Sequence, residues 1–306
     1  MHRRTLLAAA VAAPVGVAIG AAPASAHHRN GRYPSVINLP NGFCPEGIAR
    51  GTGTKIYVSS MTDGCVWCAD LRTGHGMLLV PPVAGTQATG LAVERGRIWA
   101  ACGNMGGAAV YGESTGECLA TYDFDGGFID GVAATNKAVF FTDSEKAKVY
   151  CVEFGRHGSL PGQSGVRALP LPAGLGDPDA CNTGIVAAWA GKLIVVQART
   201  GRLYCFDPHA GMAARISTGG VSVANGDGLL LRGRTLYVVR NRNNVIAKFR
   251  LDEQLTRATP VDVIRDCDLD EPSAVVSFGS SLYAVNARLS VPATPDTTYC
   301  VVRVRD

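Results

Sequence analysis

Short apolar runs alternate with glycine-rich and polar turns along the whole chain after residue 35. Within the runs apolar positions recur with period two, and glycines interrupt any 3.6-residue period, so the pattern predicts strands and not helices. The strongest runs, rich in β-branched and aromatic residues, lie at 55–59, 97–101, 138–142, 192–197, 234–240 and 281–286. Each is followed by a further run, at 64–70, 108–111, 148–154, 202–207, 244–251 and 299–303, and weaker fourth runs stand at 76–80, 117–124 and 167–171. Every group opens on the same element, a polar residue, a glycine and a small hydrophobe: Glu46-Gly47-Ile48, Thr89-Gly90-Leu91, Asp130-Gly131-Val132, Thr183-Gly184-Ile185, Asp227-Gly228-Leu229 and a degenerate Pro272-Ser273-Ala274. The steps between the central positions are 43, 41, 53, 44 and 45 residues. A period in the forties built from short strands predicts an all-β six-bladed β-propeller, with four-stranded antiparallel blades around a central channel. Residues 35–39 are expected to supply the outer strand of the last blade and so close the ring, removing exposed sheet edges.

Composition adds a compartment and excludes some partners. Arg3 and Arg4 precede an apolar stretch at 6–22, and Ala24-Ser25-Ala26 forms a small-residue cleavage site, which predicts an export signal over residues 1–26. Adjacent arginines favour the twin-arginine route, with an ordinary secretory leader as the alternative. Pro14, Gly16 and Gly20 make the stretch a poor membrane span, so the expectation is a secreted or extracytoplasmic protein, monomeric, with a single propeller domain over residues 27–306 and no membrane contact after signal removal. Lys and Arg number 29 against 25 Asp and Glu, interspersed and without a basic cluster, so no nucleic-acid footprint exists. Ten cysteines in an exported chain lead one to expect disulfides. Four of them, Cys68, Cys151, Cys205 and Cys300, occupy equivalent third strands, where small buried hydrophobes are the competing reading. Cys65-Val66-Trp67-Cys68 lacks the setting of a redox or zinc site.

In a propeller the innermost strands begin beside the channel, so the residues before the repeated glycines converge there. That ring comprises Glu46, Thr89, Asp130, Thr183 with Asn182 beside it, Asp227, and Pro272. Three carboxylates around one narrow hole repel each other, and a hard divalent cation, Ca²⁺ or Mg²⁺, relieves the repulsion. The six histidines do not cluster, which excludes a histidine-rich redox-metal site. Polar residues after the second strands, Ser60, Asn104, Asp143, Gln197, Asn241 and Arg288, are expected at the channel mouth as small-molecule-binding candidates. Arg288 suits a substrate carboxylate or phosphate, or else braces a loop. Asp143 is as readily a turn cap. Residues 155–176 account for the long 53-residue step and are expected to form an elaborated loop, a candidate lid.

Cys44-Pro45-Glu46-Gly47-Ile48, Phe128-Ile129-Asp130-Gly131-Val132, Cys181-Asn182-Thr183-Gly184-Ile185, Asp227-Gly228-Leu229 and Glu271-Pro272-Ser273-Ala274-Val275 resemble the blade openings of the senescence-marker-protein/gluconolactonase/regucalcin-like six-bladed propellers. The resemblance implies a channel metal held by a glutamate, one or two asparagines and an aspartate that also serves as base. Glu46 matches the glutamate and Asp227 the aspartate. Asp130 stands where the family commonly has asparagine, and in blade four either Thr183 or Asn182 takes the ligand position. The activity implied by the resemblance is that of a lactonase or esterase in which the cation polarises the carbonyl and Asp227 accepts a proton from water. The alternatives are a propeller that binds a ligand or partner without chemistry, and a metal-independent, strictosidine-synthase-like enzyme of secondary metabolism.

Overall fold

The computed structural model describes residues 33–146 and 148–306; the export segment expected at residues 1–26 lies outside the described residues. Six four-stranded antiparallel sheets follow one another around a ring. Their innermost strands are Pro45–Arg50, Leu91–Glu94, Ile129–Ala134, Asn182–Ala187, Gly226–Arg232 and Pro272–Phe278. The chain is a six-bladed β-propeller, and regular helix among the described residues is confined to five three-residue 3₁₀ turns. The sixth blade is closed by the N-terminal strand Val36–Asn38, which pairs antiparallel with Cys300–Arg305 in the register Val36↔Val302. Ile37 from this strand is buried between the last and first blades, so the closure is apolar as well as hydrogen-bonded.

The core divides into six apolar clusters, each made by two neighbouring blades. This arrangement explains the second strands. In Leu193–Gln197, Val195 packs toward the third blade with Phe140 and Cys151, whereas Val196 packs toward the fifth with Leu236 and Val238. Both faces of the strand are covered, so in place of the period-two alternation expected the segment is an unbroken apolar run. Outer strands such as Gly76–Val80 and Met212–Ile216 turn much of their length to solvent and leave Met77 and Met212 exposed.

The extra residues of the third blade are anchored. Arg97 Nη1 donates to Gly158 O (2.7 Å) and Tyr122 OH to Pro161 O (3.0 Å), which fixes the loop before the outer strand Val166–Pro170. Beyond that strand Leu175 is fully buried, and its carbonyl accepts bonds from Asn182 Nδ2 (3.1 Å) and Gln197 Nε2 (3.3 Å). The segment is therefore pinned to its neighbours before and after its outer strand.

All ten cysteines are unbridged, which corrects the expectation of disulfides. Cys151 and Cys205 sit inside inter-blade clusters, and burial pushes the Cys65 thiol up to about 12 and that of Cys151 to about 11. They behave as small core hydrophobes. Thiol titration with a chromogenic disulfide is expected to find ten thiols in denaturant. The exposed Cys118 and Cys267 should react first and Cys65, Cys151 and Cys205 only on unfolding; fewer than ten would mean bridges.

Candidate metal centre in the axial channel

In blades one, three, four and five the ring residue is placed by a break in strand register. In the first blade Pro45 pairs with Ser60 and Ile48 with Val58, so Glu46 and Gly47 together oppose Ser59. The same two-against-one bulge sets Asp130-Gly131 against Thr142, Thr183-Gly184 against Val196, and Asp227-Gly228 against Val239. Such bulges re-aim a side chain. In blades one and three the opposing hydroxyl accepts the glycine N–H, Ser59 Oγ from Gly47 (2.7 Å) and Thr142 Oγ1 from Gly131 (2.9 Å).

The glycines are required by close approach. A Cβ on Gly47 would stand 2.3 Å from Thr89 O, on Gly90 2.3 Å from Asp130 O, on Gly131 2.6 Å from Thr183 O, on Gly184 1.9 Å from Asp227 O, and on Gly228 2.7 Å from Ser273 O. In the first four cases the carbonyl belongs to the ring residue of the next blade, and in the fifth to Ser273 of the sixth blade. The sixth blade replaces glycine with Ser273, whose bulge is one residue shorter and whose hydroxyl donates to Glu46 O.

The ring alternates in chemistry. Blades two, four and six present hydroxyls that lock onto the following blade: Thr89 Oγ1 to Ile129 O (2.7 Å), Thr183 Oγ1 to Gly226 O (2.8 Å), and Ser273 as above. Blades one, three and five present the carboxylates. Glu46, Asp130 and Asp227 are all buried, and each offers an oxygen within 4.8 Å of the others. Glu46 Oε2 is buried with no hydrogen-bond partner, and Asp227 Oδ2 accepts from Asn241 Nδ2 (3.0 Å). These three line a cavity of about 70 Å³ whose other walls include Ile48, Leu91, Val132, Ile185, Leu229 and Val275.

The apolar walls decide the protonation of the ring. Burial, then Asp130 and Asp227, hold Glu46 well above the ordinary carboxylate range; burial and then Asp143 lift Asp130 to about 7; burial and then Asp130 raise Asp227, against the opposing Asn241 bond. Because the folded values exceed those of an unfolded chain, about 4, the ring's contribution to stability is complete below that pH. It is lost as pH rises through the folded values, about 7 for Asp130. The Tm of cation-free protein is therefore expected to fall between pH 5 and 8 in chelator, and to recover at pH 8 on addition of Ca²⁺. A Tm that rises over that interval in chelator would contradict this electrostatic account.

The remaining expected site residues are placed differently. Thr183 occupies the ring register but gives its hydroxyl proton to Gly226 O, and neither it nor Asn182 lines the cavity. Asn182 is buried, with Nδ2 bound to Leu175 O and Oδ1 without a partner. Gln197 is fully buried and spans Gly174 O (3.0 Å) and Thr200 Oγ1 (2.8 Å), while Ser60 Oγ donates to Phe43 O (2.8 Å). Asp143 accepts from the backbone N–H of Gly127 (2.8 Å), Glu145 (3.0 Å) and Lys146 (2.7 Å), the turn-capping role. Arg288 braces its loop, with Nε to Asp270 Oδ2 (2.8 Å) and Nη1 to Thr298 O (2.8 Å). Asn104 is exposed, its backbone N–H held by Gln87 Oε1 (3.0 Å). Of the mouth candidates only Asn241 is bonded to a ring carboxylate. Nothing in the sequence marks that role, because the contact joins a turn to a strand 14 residues away.

No family model matches the chain, and no curated protein matches it in sequence. Solved structures do. The allergen Mala s 1 of Malassezia sympodialis aligns at TM-score 0.70 and 15% identity over 89% of this chain and 96% of its own. Catalytically inactive virginiamycin B lyase from Staphylococcus aureus with quinupristin aligns at 0.61 and 14%, over 82% and 80%. A candidate 6-phosphogluconolactonase of Bacteroides uniformis aligns at 0.58 and 15%, over 78% and 76%. At such identities these likenesses show the β-propeller fold, a scaffold that carries enzymes among other functions.

Proposed function

We propose that the chain is a hydrolase of the lactonase or esterase type that uses a hard divalent cation, with Glu46, Asp130 and Asp227 as the protein ligands and Asp227 as base. The observation that carries this reading is the convergence of three buried carboxylates within 4.8 Å, one of them with an oxygen lacking any partner. An all-oxygen anionic set suits a hard cation such as Ca²⁺ or Mg²⁺ better than a softer metal. The blade openings that resemble the gluconolactonase-like propellers point the same way.

When bound, the cation supplies Lewis-acid polarisation of a lactone or ester carbonyl. The residues of the chain do the rest. Asn241 fixes Asp227 through Oδ2, leaving Oδ1 to take a proton from water. Ile48, Leu91 and their neighbours make an apolar wall that strengthens every electrostatic contact in the cavity. About 70 Å³ is room for an ion and a few waters, far below the roughly 300–1,000 Å³ of a small-molecule pocket, so the substrate would sit at the mouth with only its reacting group directed inward.

The test is metal analysis of purified protein together with a screen of lactones and aryl esters with Ca²⁺ and with chelator. Cation-dependent turnover is expected, and a protein that binds no divalent ion would end the proposal. A second reading, a propeller stapled by a cation without chemistry, is favoured by the small cavity and by the structural bonds that occupy Asp143, Gln197 and Arg288. It predicts stabilisation by Ca²⁺ with no turnover of any ester.

A further inference from the structure

The edge of the channel mouth where blades four and five meet carries three arginines with no acidic partner. Arg199, Arg240 and Arg242 form none of the ion pairs found among the described residues. Their backbone segments are sewn together: Asn225 N–H donates to Ala198 O (2.8 Å) and Asn241 N–H to Asn225 O (3.1 Å). Two residues beyond Asn225 stands Asp227, and Asn241, between two of the arginines, holds its carboxylate. The cations therefore adjoin the acidic ring on the side where the inner strands begin.

Arg240 differs from an ordinary surface arginine. It is partly buried, it pairs across the ladder with Gly226 immediately before Asp227, and its guanidinium makes one hydrogen bond, Nε to Ala224 O (3.0 Å). The other guanidinium N–H groups meet no acceptor among the described residues. Arg199 is similarly spare, with Nη1 3.4 Å from Asp179 O. Arg234 and Arg288, by contrast, are each held by a carboxylate. A half-buried guanidinium fork without a counter-charge matches a planar or tetrahedral oxyanion.

The geometry points to an anion subsite at this edge, in which Arg240, flanked by Arg199 and Arg242, binds a carboxylate or phosphate carried by the substrate while the reacting carbonyl lies over the Glu46, Asp130 and Asp227 ring. The place of the carbonyl rests on the hydrolase reading; the binding of the anion does not. The substrate class is thereby narrowed to lactones or esters that bear a negative group away from the reacting carbonyl.

Calorimetric titration of the full chain with inorganic phosphate, and separately with succinate, tests the binding and distinguishes the two oxyanions. At least one is expected to bind, and Arg240→Met should weaken it by about tenfold to a hundredfold, the range for a charge-assisted contact. Arg240→Lys should keep part of the affinity, and Arg242→Gln, on an exposed residue, gives a second variant should Arg240→Met fail to fold. In the kinetic arm, Arg240→Met should raise KM for the 4-nitrophenyl monoester of succinic acid by a similar factor and leave 4-nitrophenyl acetate within about twofold. Binding of neither anion to the parent protein, or equal affinity in parent and Arg240→Met, overturns the subsite. If no ester is turned over the hydrolase reading fails alone, and the titrations still decide the subsite.

Discussion

Asp227→Asn is expected to lower kcat at saturating Ca²⁺ by about 10²–10⁴-fold, the usual contribution of a positioned general base, while raising the Tm of cation-free protein at pH 8. The two effects share one cause. Asp227 is buried beside Asp130 and Glu46 with only an amide bond to offset the repulsion, so a neutral isostere relieves the ring and keeps the Asn241 contact through its own carbonyl oxygen. The stabilisation produced by Ca²⁺ should shrink in the same variant, because one anionic ligand is gone. Asp130→Asn separates the roles: it too should raise the Tm of cation-free protein, but it removes no proton acceptor and should cost far less turnover. Steady-state kinetics and melting curves on the same preparations give both answers. Activity of Asp227→Asn within tenfold of the parent would remove Asp227 as base, and an unchanged Tm in chelator would deny the crowding of charge.

Much of this arrangement is written in the sequence because it repeats. The glycine at each blade opening is legible as a mark of close approach, and the structure supplies the reason, a carbonyl of the next blade where a side chain would stand. The acidic ring follows from the same register, since the residue before that glycine stands beside the axis, although Thr89 and Thr183 there turn their hydroxyls onto the next blade. The closing strand at Val36–Asn38 is legible as well, from the missing outer strand of the sixth blade. Three things are not. The outer strands Met212–Ile216 and Ala258–Arg265 escape a pattern search because most of their positions are exposed, so burial imposes no regular apolar pattern on them. The fate of polar residues at the mouth depends on partners far along the chain: Gln197 and Asn182 are consumed by a carbonyl at Leu175, and Arg288 by Asp270, none of which shares a motif with its partner. Cysteine number suggests bridges, yet pairing depends on which faces the thiols occupy, and Cys151 and Cys205 lie in different inter-blade cores.

The inter-blade contacts make Gly184 the position where a single methyl group should do most damage. Its Cβ would stand 1.9 Å from the carbonyl oxygen of Asp227, a backbone atom that cannot turn aside as a side chain would. Overpacking in a rigid core costs up to about 3 kcal/mol, which for a domain of this size lowers Tm by roughly 6–12 °C. Gly184→Ala is expected at or beyond that limit. Gly47→Ala and Gly90→Ala, at 2.3 Å, should come next, with Gly131→Ala and Gly228→Ala, at 2.6 and 2.7 Å, the mildest of the five. Gly162→Ala, where a Cβ meets nothing within 4 Å, is the control and should be neutral or slightly stabilising. The displaced group in Gly184→Ala is the backbone of the proposed base, so turnover and Ca²⁺ affinity should fall with stability even well below the Tm. In Gly47→Ala the displaced carbonyl belongs to Thr89, which carries no carboxylate, but Gly47 shares the bulge that aims Glu46, so Ca²⁺ affinity should fall there as well while the proposed base stays in place. Melting temperatures that ignore the order of these distances would show that the glycines serve chain flexibility and not the approach of neighbouring blades.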